Sequence, residues 1–197
     1  MHNQNFQMPN SSAGCTIVLK LTGSSCNMRC SYCYELDASN RFSAILEPMC
    51  VESIINRVLH FPEVRFLLHG GEPLLYPKPL MRTLLKIIKD QLPGRHSIQL
   101  QTNGTLIDDE WLEILAGADS QVAVSISLDP PSTQSLRMLP GKDYYPIVRD
   151  RIKLVLKYFG MAGIVSVAHQ ANITYFQTFM NELIDMGISY LTINKLR

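Results

Sequence analysis

Apolar and polar positions alternate in blocks along the whole chain. Short β-branched runs predict strands over residues 16–21, 64–69, 97–101, 122–128, 164–168 and 190–194. Several of these runs are continuously apolar, such as Ile17-Val18-Leu19, which is the pattern of a parallel sheet covered on both faces. Between the runs the apolar residues fall three or four apart. Leu80, Leu84, Ile87 and Ile88 make one such stripe, and Tyr175, Phe179, Leu183 and Ile184 another. Asp108 ahead of Trp111, Leu112 and Leu115 is a helix start, because a carboxylate at that position accepts from the free amides of the first turn.

Strand–helix alternation that ends on a strand predicts a parallel α/β architecture with right-handed crossovers. Periodicity alone leaves an open doubly wound sheet and a barrel as alternatives. In both, ligands gather at the carboxyl ends of the strands. The unusual residues fall there: the segment 23–33 after the first strand, His69-Gly70-Gly71-Glu72-Pro73 after the second, Thr102-Asn103-Gly104-Thr105 after the third, and Ser125, Ser127 and Asp129 on the fourth. Four successive strand ends rich in glycine and polar residues point to one shared site.

Composition narrows the class. The 197 residues are 46% hydrophobic and 18% charged, which excludes a disordered or low-complexity chain and suits one domain, with residues 1–14 as a tail and 15–197 as the core. Eighteen Lys and Arg against seventeen Asp and Glu leave a formal charge of +1, so there is no global field to attract a polyanion and no nucleic acid is expected as partner. No apolar run approaches the roughly 18–20 residues that span a bilayer, and the first ten residues lack the basic start and apolar centre of a signal peptide. A cytoplasmic location without membrane attachment is therefore expected. In that reducing compartment the five cysteines are read as ligands or buried thiols rather than disulfides.

Cys26, Cys30 and Cys33 form a Cys-x-x-x-Cys-x-x-Cys cluster on the loop after the first strand. Thiolates are soft ligands for zinc, copper(I) or iron–sulfur clusters. Structural zinc normally takes four protein ligands, and no compact fourth ligand accompanies these three. A cubane cluster can take three cysteines and leave one iron open to a small molecule. The blander alternative, packing thiols, sits poorly in a loop of Ser, Asn, Arg and Tyr. Cys15 and Cys50, by contrast, read as buried thiols, and His69 as a histidine satisfied within its strand.

Residues 26–33 resemble the cluster loop of the radical S-adenosylmethionine (SAM) enzymes, and Gly70-Gly71-Glu72-Pro73 resembles their methionine-binding motif. Cys-Asn-Met-Arg-Cys-Ser-Tyr-Cys-Tyr, His-Gly-Gly-Glu-Pro-Leu-Leu, Gln-Thr-Asn-Gly-Thr-Leu-Ile and Ser-Ile-Ser-Leu-Asp together resemble the anaerobic sulfatase-maturing and SPASM-type peptide-modifying branch, over residues 15–197. The resemblance implies a partial (β/α)6 TIM-like barrel that binds a [4Fe–4S] cluster on Cys26, Cys30 and Cys33, with SAM on the open iron. It further implies reductive cleavage of SAM to a 5′-deoxyadenosyl radical that abstracts hydrogen from a peptide or protein side chain.

By the same resemblance Gly70 and Gly71 meet the methionine amino group, Glu72 and Pro73 complete that motif, and the backbone of Tyr32 lies by the adenine. Asn103 approaches SAM or substrate, Ser125 or Ser127 reaches the ribose or methionine end, and Arg137 binds the SAM carboxylate. Each has a plainer alternative: a turn glycine, a turn-stabilising Glu72, a serine filling the barrel, a surface arginine. The implied partners are a peptide or protein substrate and a one-electron reductant such as flavodoxin or ferredoxin. No group is assigned as final acid or base.

Two departures stand out. Leu128-Asp129-Pro130-Pro131 replaces the branch's Ser-x-Asp-Gly-Pro, and the rigid Pro131 alters a flexible step. The chain stops at Arg197, shortly after the last strand and without the branch's C-terminal extension. The expectation is a fragment, a minimal enzyme, or a subunit whose barrel a partner completes. Other functional readings are a radical SAM enzyme for a small molecule or nucleotide, and a non-catalytic cluster- or zinc-binding module.

Overall fold

The computed structural model describes residues 14–36, 43–118, 121–132 and 135–196; nearly all of the expected tail at 1–14 lies outside them. Six strands, β1 (Cys15–Lys20), β2 (Val64–His69), β3 (His96–Thr102), β4 (Gln121–Ser127), β5 (Gly163–Ala168) and β6 (Tyr190–Lys195), pair in sequence order, all parallel, into one sheet. Helices α1 (Pro48–Val58), α2 (Lys78–Gln91), α3 (Asp109–Ala116), α4 (Tyr144–Phe159) and α5 (Phe176–Asp185) fill the crossovers. β1 and β6 end the strand order as its two edges, so the sheet is an open relative of a barrel rather than a closed one.

Helix boundaries have local causes. Asp108 accepts from Trp111 N at 2.8 Å and starts α3, while Lys78 at the head of α2 holds the same carboxylate. Asp143 starts α4 through Tyr145 N, and Gly160 ends it in the left-handed conformation that a Cβ disfavours.

The sheet buries one face. Phe66, Leu68, Ile98, Leu100, Val124 and Ile126 pack into a core with Leu84, Ile88, Trp111 and Leu112 of α2 and α3. The alternate residues turn to the inner face, where Ser97, Gln99 and Gln101 of β3 are only half-buried. The continuously apolar β1 thus departs from expectation: Val18 is 54% exposed on the inner face, flanked by exposed Thr16 and Lys20. The stripe at the end of the chain is also narrower than its spacing predicts. Phe176, Phe179 and Leu183 of α5 are buried, whereas Tyr175 precedes the helix and Ile184 is 67% exposed.

Candidate functional site

The loop after β1 is bound to the loop after β2 by backbone. Leu21 N donates to His69 O, Gly71 N to Gly23 O at 2.8 Å and Glu72 N to Ser25 O at 2.8 Å, extending the parallel ladder beyond both strands. The two chains run so close that a Cβ on Gly71 would stand 2.1 Å from Ser25 O, and one on Gly70 2.8 Å from Gly23 O. The glycine pair is therefore required first by packing against the cysteine loop, a constraint between segments about 46 residues apart that neither motif displays by itself.

Cys26, Cys30 and Cys33, all half-buried, line one cavity of about 140 Å³. Tyr32, Gly70, Gly71, Asn103, Ser127 and Arg137 face the same cavity. Glu72 and Pro73 do not, and Ser125 lines a different one. Glu72 is wholly buried behind the site, where its carboxyl accepts from Leu74 N, Thr102 Oγ1 and Asn103 N at 2.6–2.9 Å. Burial pushes this carboxyl above its ordinary range, against the pull of those three donors and of Arg137. Glu72 thus ties the end of β2 to the end of β3. Pro73 opens the short turn Pro73–Leu75 that leads away from the cavity.

Burial likewise raises the thiol pKa of Cys26, opposed by the Met28 amide and the Asn103 side chain, and that of Cys30, opposed by Arg137 and the Met138 amide. Met28 N donates to Cys26 Sγ at 3.4 Å, and Asn103 Nδ2 approaches the same sulfur at 3.7 Å while donating to Asn27 Oδ1 at 2.8 Å. These donors suit a thiolate better than a thiol. Among the described residues no three His, Cys, Asp or Glu side chains gather as a single metal ion needs. Three thiols spread around one cavity fit a polynuclear cluster, which separates its protein sulfurs.

Opposite the cysteines stands a charged network. Arg137 Nη1 donates to Tyr32 OH at 2.8 Å, and Tyr32 OH donates to Asp129 Oδ2 at 2.7 Å. Asp129 Oδ1 accepts from Val167 N at 2.8 Å, which reaches across to β5. Arg137 is only 7% exposed and rests over the Tyr144 ring, and its buried Nε has no partner among the described residues. A buried guanidinium beside a cavity suits a carboxylate ligand; the surface-arginine alternative does not hold.

His69 also lines the cavity, and burial lowers its pKa. At the rim Glu35 joins Lys20 Nζ at 2.5 Å and Ser24 Oγ at 2.9 Å, beside the exposed Tyr34. Cys50 is exposed and Cys15 half-buried, so neither is the buried thiol expected.

A second cavity of about 310 Å³ lies lower on the inner face, between Gln99, Ser125, Gly163, Tyr190 and Thr192. Its lining carries no charged residue. Ser125 sits here because it is one row below Ser127 on the same face; their shared parity was legible, but not the row at which the cavities divide. Asp129 extends that two-residue period, so its spacing carried the signal of a role that remained unassigned.

A parallel α/β sheet with three cysteines on its first strand-end loop and a glycine pair on its second defines a cluster-binding half-barrel. The chain belongs to the radical SAM superfamily, whose family model matches residues 21–193 and whose members use a [4Fe–4S] cluster and SAM. It is 27% identical over 186 residues to a serine-type anaerobic sulfatase-maturating enzyme of Bacteroides thetaiotaomicron, covering 89% of this chain and 44% of the relative. It is 30% identical over 124 residues to the cysteine-type enzyme of Clostridium perfringens, covering 59% and 33%. Among solved structures, the sulfatase-maturating enzyme anSMEcpe with bound AdoMet and the Kp18Cys peptide superposes with a TM-score of 0.82 at 23% identity, over 94% of this chain and 52% of that one. Streptococcus suis SuiB bound to its precursor peptide SuiA superposes at 0.69 and 18%, over 94% and 40%. The chain spans about half or less of these proteins.

Proposed function

We propose that this chain is the core of a radical SAM enzyme that abstracts hydrogen from a peptide or protein side chain. The observation that carries the reading is the single cavity that joins three half-buried thiols to a buried arginine. In it Cys26, Cys30 and Cys33 hold the cluster and Arg137 takes the SAM carboxylate. Gly70 and Gly71 present backbone to the amino group, Tyr32 presents backbone to the adenine, and Asn103 and Ser127 supply polar contacts along the wall. Glu72 and Pro73 position the loop without touching the ligand. When bound, the cluster and SAM supply one-electron cleavage of the sulfonium to a 5′-deoxyadenosyl radical.

Arg137 stays charged at any working pH and offers a planar fork to a carboxylate. Tyr32, held between Asp129 and Arg137, fixes the height of the cysteine loop over β4 and β5. The uncharged second cavity lies lower on the same inner face, toward the first residues of β5 and β6. The relatives that share this fold include proteins solved with peptides bound, which supports a peptide as substrate class. A flavodoxin or ferredoxin as reductant and a cytoplasmic location complete the reading; no helix among the described residues is long and apolar enough to cross a membrane.

The test is anaerobic reconstitution with iron and sulfide, chemical reduction, and assay of 5′-deoxyadenosine from SAM. The wild type forms it and Cys30→Ala, lacking the cluster, does not. Stimulation by sulfatase-derived or neighbouring-encoded peptides, and not by nucleotides or small metabolites, supports the peptide reading; undiminished cleavage by Cys30→Ala removes the cluster assignment.

A further inference from the structure

The outer side of the cysteine loop carries a basic depression that the proposed chemistry does not use. A cavity of about 410 Å³ opens between Asn27, Leu106, Leu139, Lys142, Ile147 and Arg151. Its floor is apolar and its charged wall is positive. Lys142 is exposed and Arg151 half-buried. Arg29, exposed on the cysteine loop, flanks them through its backbone bond to Met138 O at 2.8 Å, and Met138 itself is 51% exposed.

Nearby carboxylates offset only part of this charge. Asp108, which acts on Arg151, is occupied by Lys78 at 2.8 and 3.0 Å. Asp150 pairs with Lys153, and Asp109 accepts from Tyr158 OH. Asp143, next to Lys142 in the chain, caps α4 and keeps its charge, so it offsets one of the three cations. Neither Lys142 nor Arg29 has an ion-pair partner among the described residues.

The depression is joined to the cysteine cavity by covalent and hydrogen bonds. Asn27 lines the depression and follows Cys26 in the chain, and its Oδ1 accepts from Asn103 Nδ2, which approaches Cys26 Sγ at 3.7 Å. Two short steps therefore connect solvent on the outside with a thiol on the inside, away from the face where substrate would enter.

We infer that this depression is the docking surface for an acidic one-electron carrier protein, with Lys142, Arg151 and Arg29 meeting its carboxylates. The inference rests on the radical SAM reading, which requires one electron from outside. The reduced carrier loses that electron and the oxidised cluster gains it; no bond forms or breaks and no proton moves. A small, charge-steered contact with an apolar centre suits a transient electron-transfer partner, whose interfaces fall at the low end of size, under about 1,200 Å².

The experiment uses an acidic flavodoxin as probe and reads two quantities: its affinity for the cluster-loaded protein by titration calorimetry at low and high salt, and the rate at which its reduced form bleaches the cluster. Lys142→Glu with Arg151→Glu should weaken binding about tenfold or more at low ionic strength and slow bleaching to match. Iron content and SAM cleavage driven by dithionite should stay at the wild-type level. Lys142→Glu alone, at an exposed position, should give a smaller change in the same direction and guards against misfolding of the double variant.

Unchanged affinity and bleaching in both variants would overturn the surface, as would a wild type that does not bind the flavodoxin. Failure of dithionite-reduced wild type to cleave SAM would instead strike the functional reading, while the affinity comparison would still judge the surface.

Discussion

The two halves of the inner face are built differently. From β1 to β3 the strand ends are joined by backbone: the ladder runs on into the cysteine loop, two glycines allow the contact, and Glu72 is buried to secure it. From β4 to β6 the inner face is made of side chains around an uncharged cavity; Asp129 reaches the cysteine loop through Tyr32, and the segment after β4 reaches it through the Leu136 and Met138 carbonyls and Arg137. Backbone packing tolerates little change, whereas side chains on an open face can be exchanged.

The largest expected effect separates two glycines. Gly71→Ala drives a Cβ onto the Ser25 carbonyl at 2.1 Å, which neither chain can escape, whereas Gly163→Ala meets the Ser125 hydroxyl at 3.2 Å, a side chain that can turn aside. Gly71→Ala should lower stability by about 3 kcal/mol and abolish iron uptake; Gly163→Ala should cost under about 1 kcal/mol and leave iron binding intact. Urea denaturation with iron analysis checks both. Equal losses would break the comparison.

The side-chain link between the halves through Asp129 and Tyr32 is tested next. Asp129→Asn keeps the shape but removes the charge that holds Tyr32 and faces Arg137. It should weaken SAM binding roughly tenfold, since hydrogen bonds to charged groups are worth about 1.5–3 kcal/mol, with iron content unchanged. Isothermal titration of the cluster-loaded variant against wild type measures this. An unaltered SAM affinity would mean that Arg137 is placed without Asp129.

A smaller effect concerns the helices behind the β1–β3 half. Asp108 starts α3 and binds Lys78; burial opposes its ionisation, but Lys78 and the Trp111 amide hold its pKa below the ordinary value. A depressed folded pKa means stability that is fully present above the unfolded value near 3.9 and lost as pH falls through the folded one. Asp108→Ala should cost about 1 kcal/mol at neutral pH, and the deficit relative to wild type should shrink below about pH 4. Thermal melts across that range report it. A deficit independent of pH would assign the loss to packing instead.

How much was legible in the sequence follows the same division. The six strands and the gathering of Cys26, Cys30, Cys33, Gly70 and Asn103 are encoded in local runs and motifs, and the structure differs only by a residue or two at strand ends; the sequential strand order was implied by the family resemblance and not by the runs. What escaped depends on neighbours distant in sequence. Val18 reads as buried until the opposing face proves open, and Cys50 sits on the outer side of a helix whose apolar stripe it only borders. Ser125 and Ser127 share parity, and only the three-dimensional row separates their cavities. Glu72 and Asp129 act through partners at least 30 positions away.

The smallest expected effect lies at the β6 edge and sharpens the contrast most. Ile193 is 47% exposed, whereas Ile126 of β4 is wholly buried under the helices. If the sheet ends in solvent at β6, Ile193→Ser should change stability by less than about 0.5 kcal/mol, while Ile126→Ala should cost about 2–5 kcal/mol. Both follow from chemical denaturation at several protein concentrations. A cost for Ile193→Ser approaching that of the buried site, and growing with concentration, would show that a second protein surface covers this edge. The β4–β6 half of the inner face would then owe part of its form to a partner, and the contrast between backbone-built and side-chain-built halves would become one between a self-sufficient half and a half completed by a second surface.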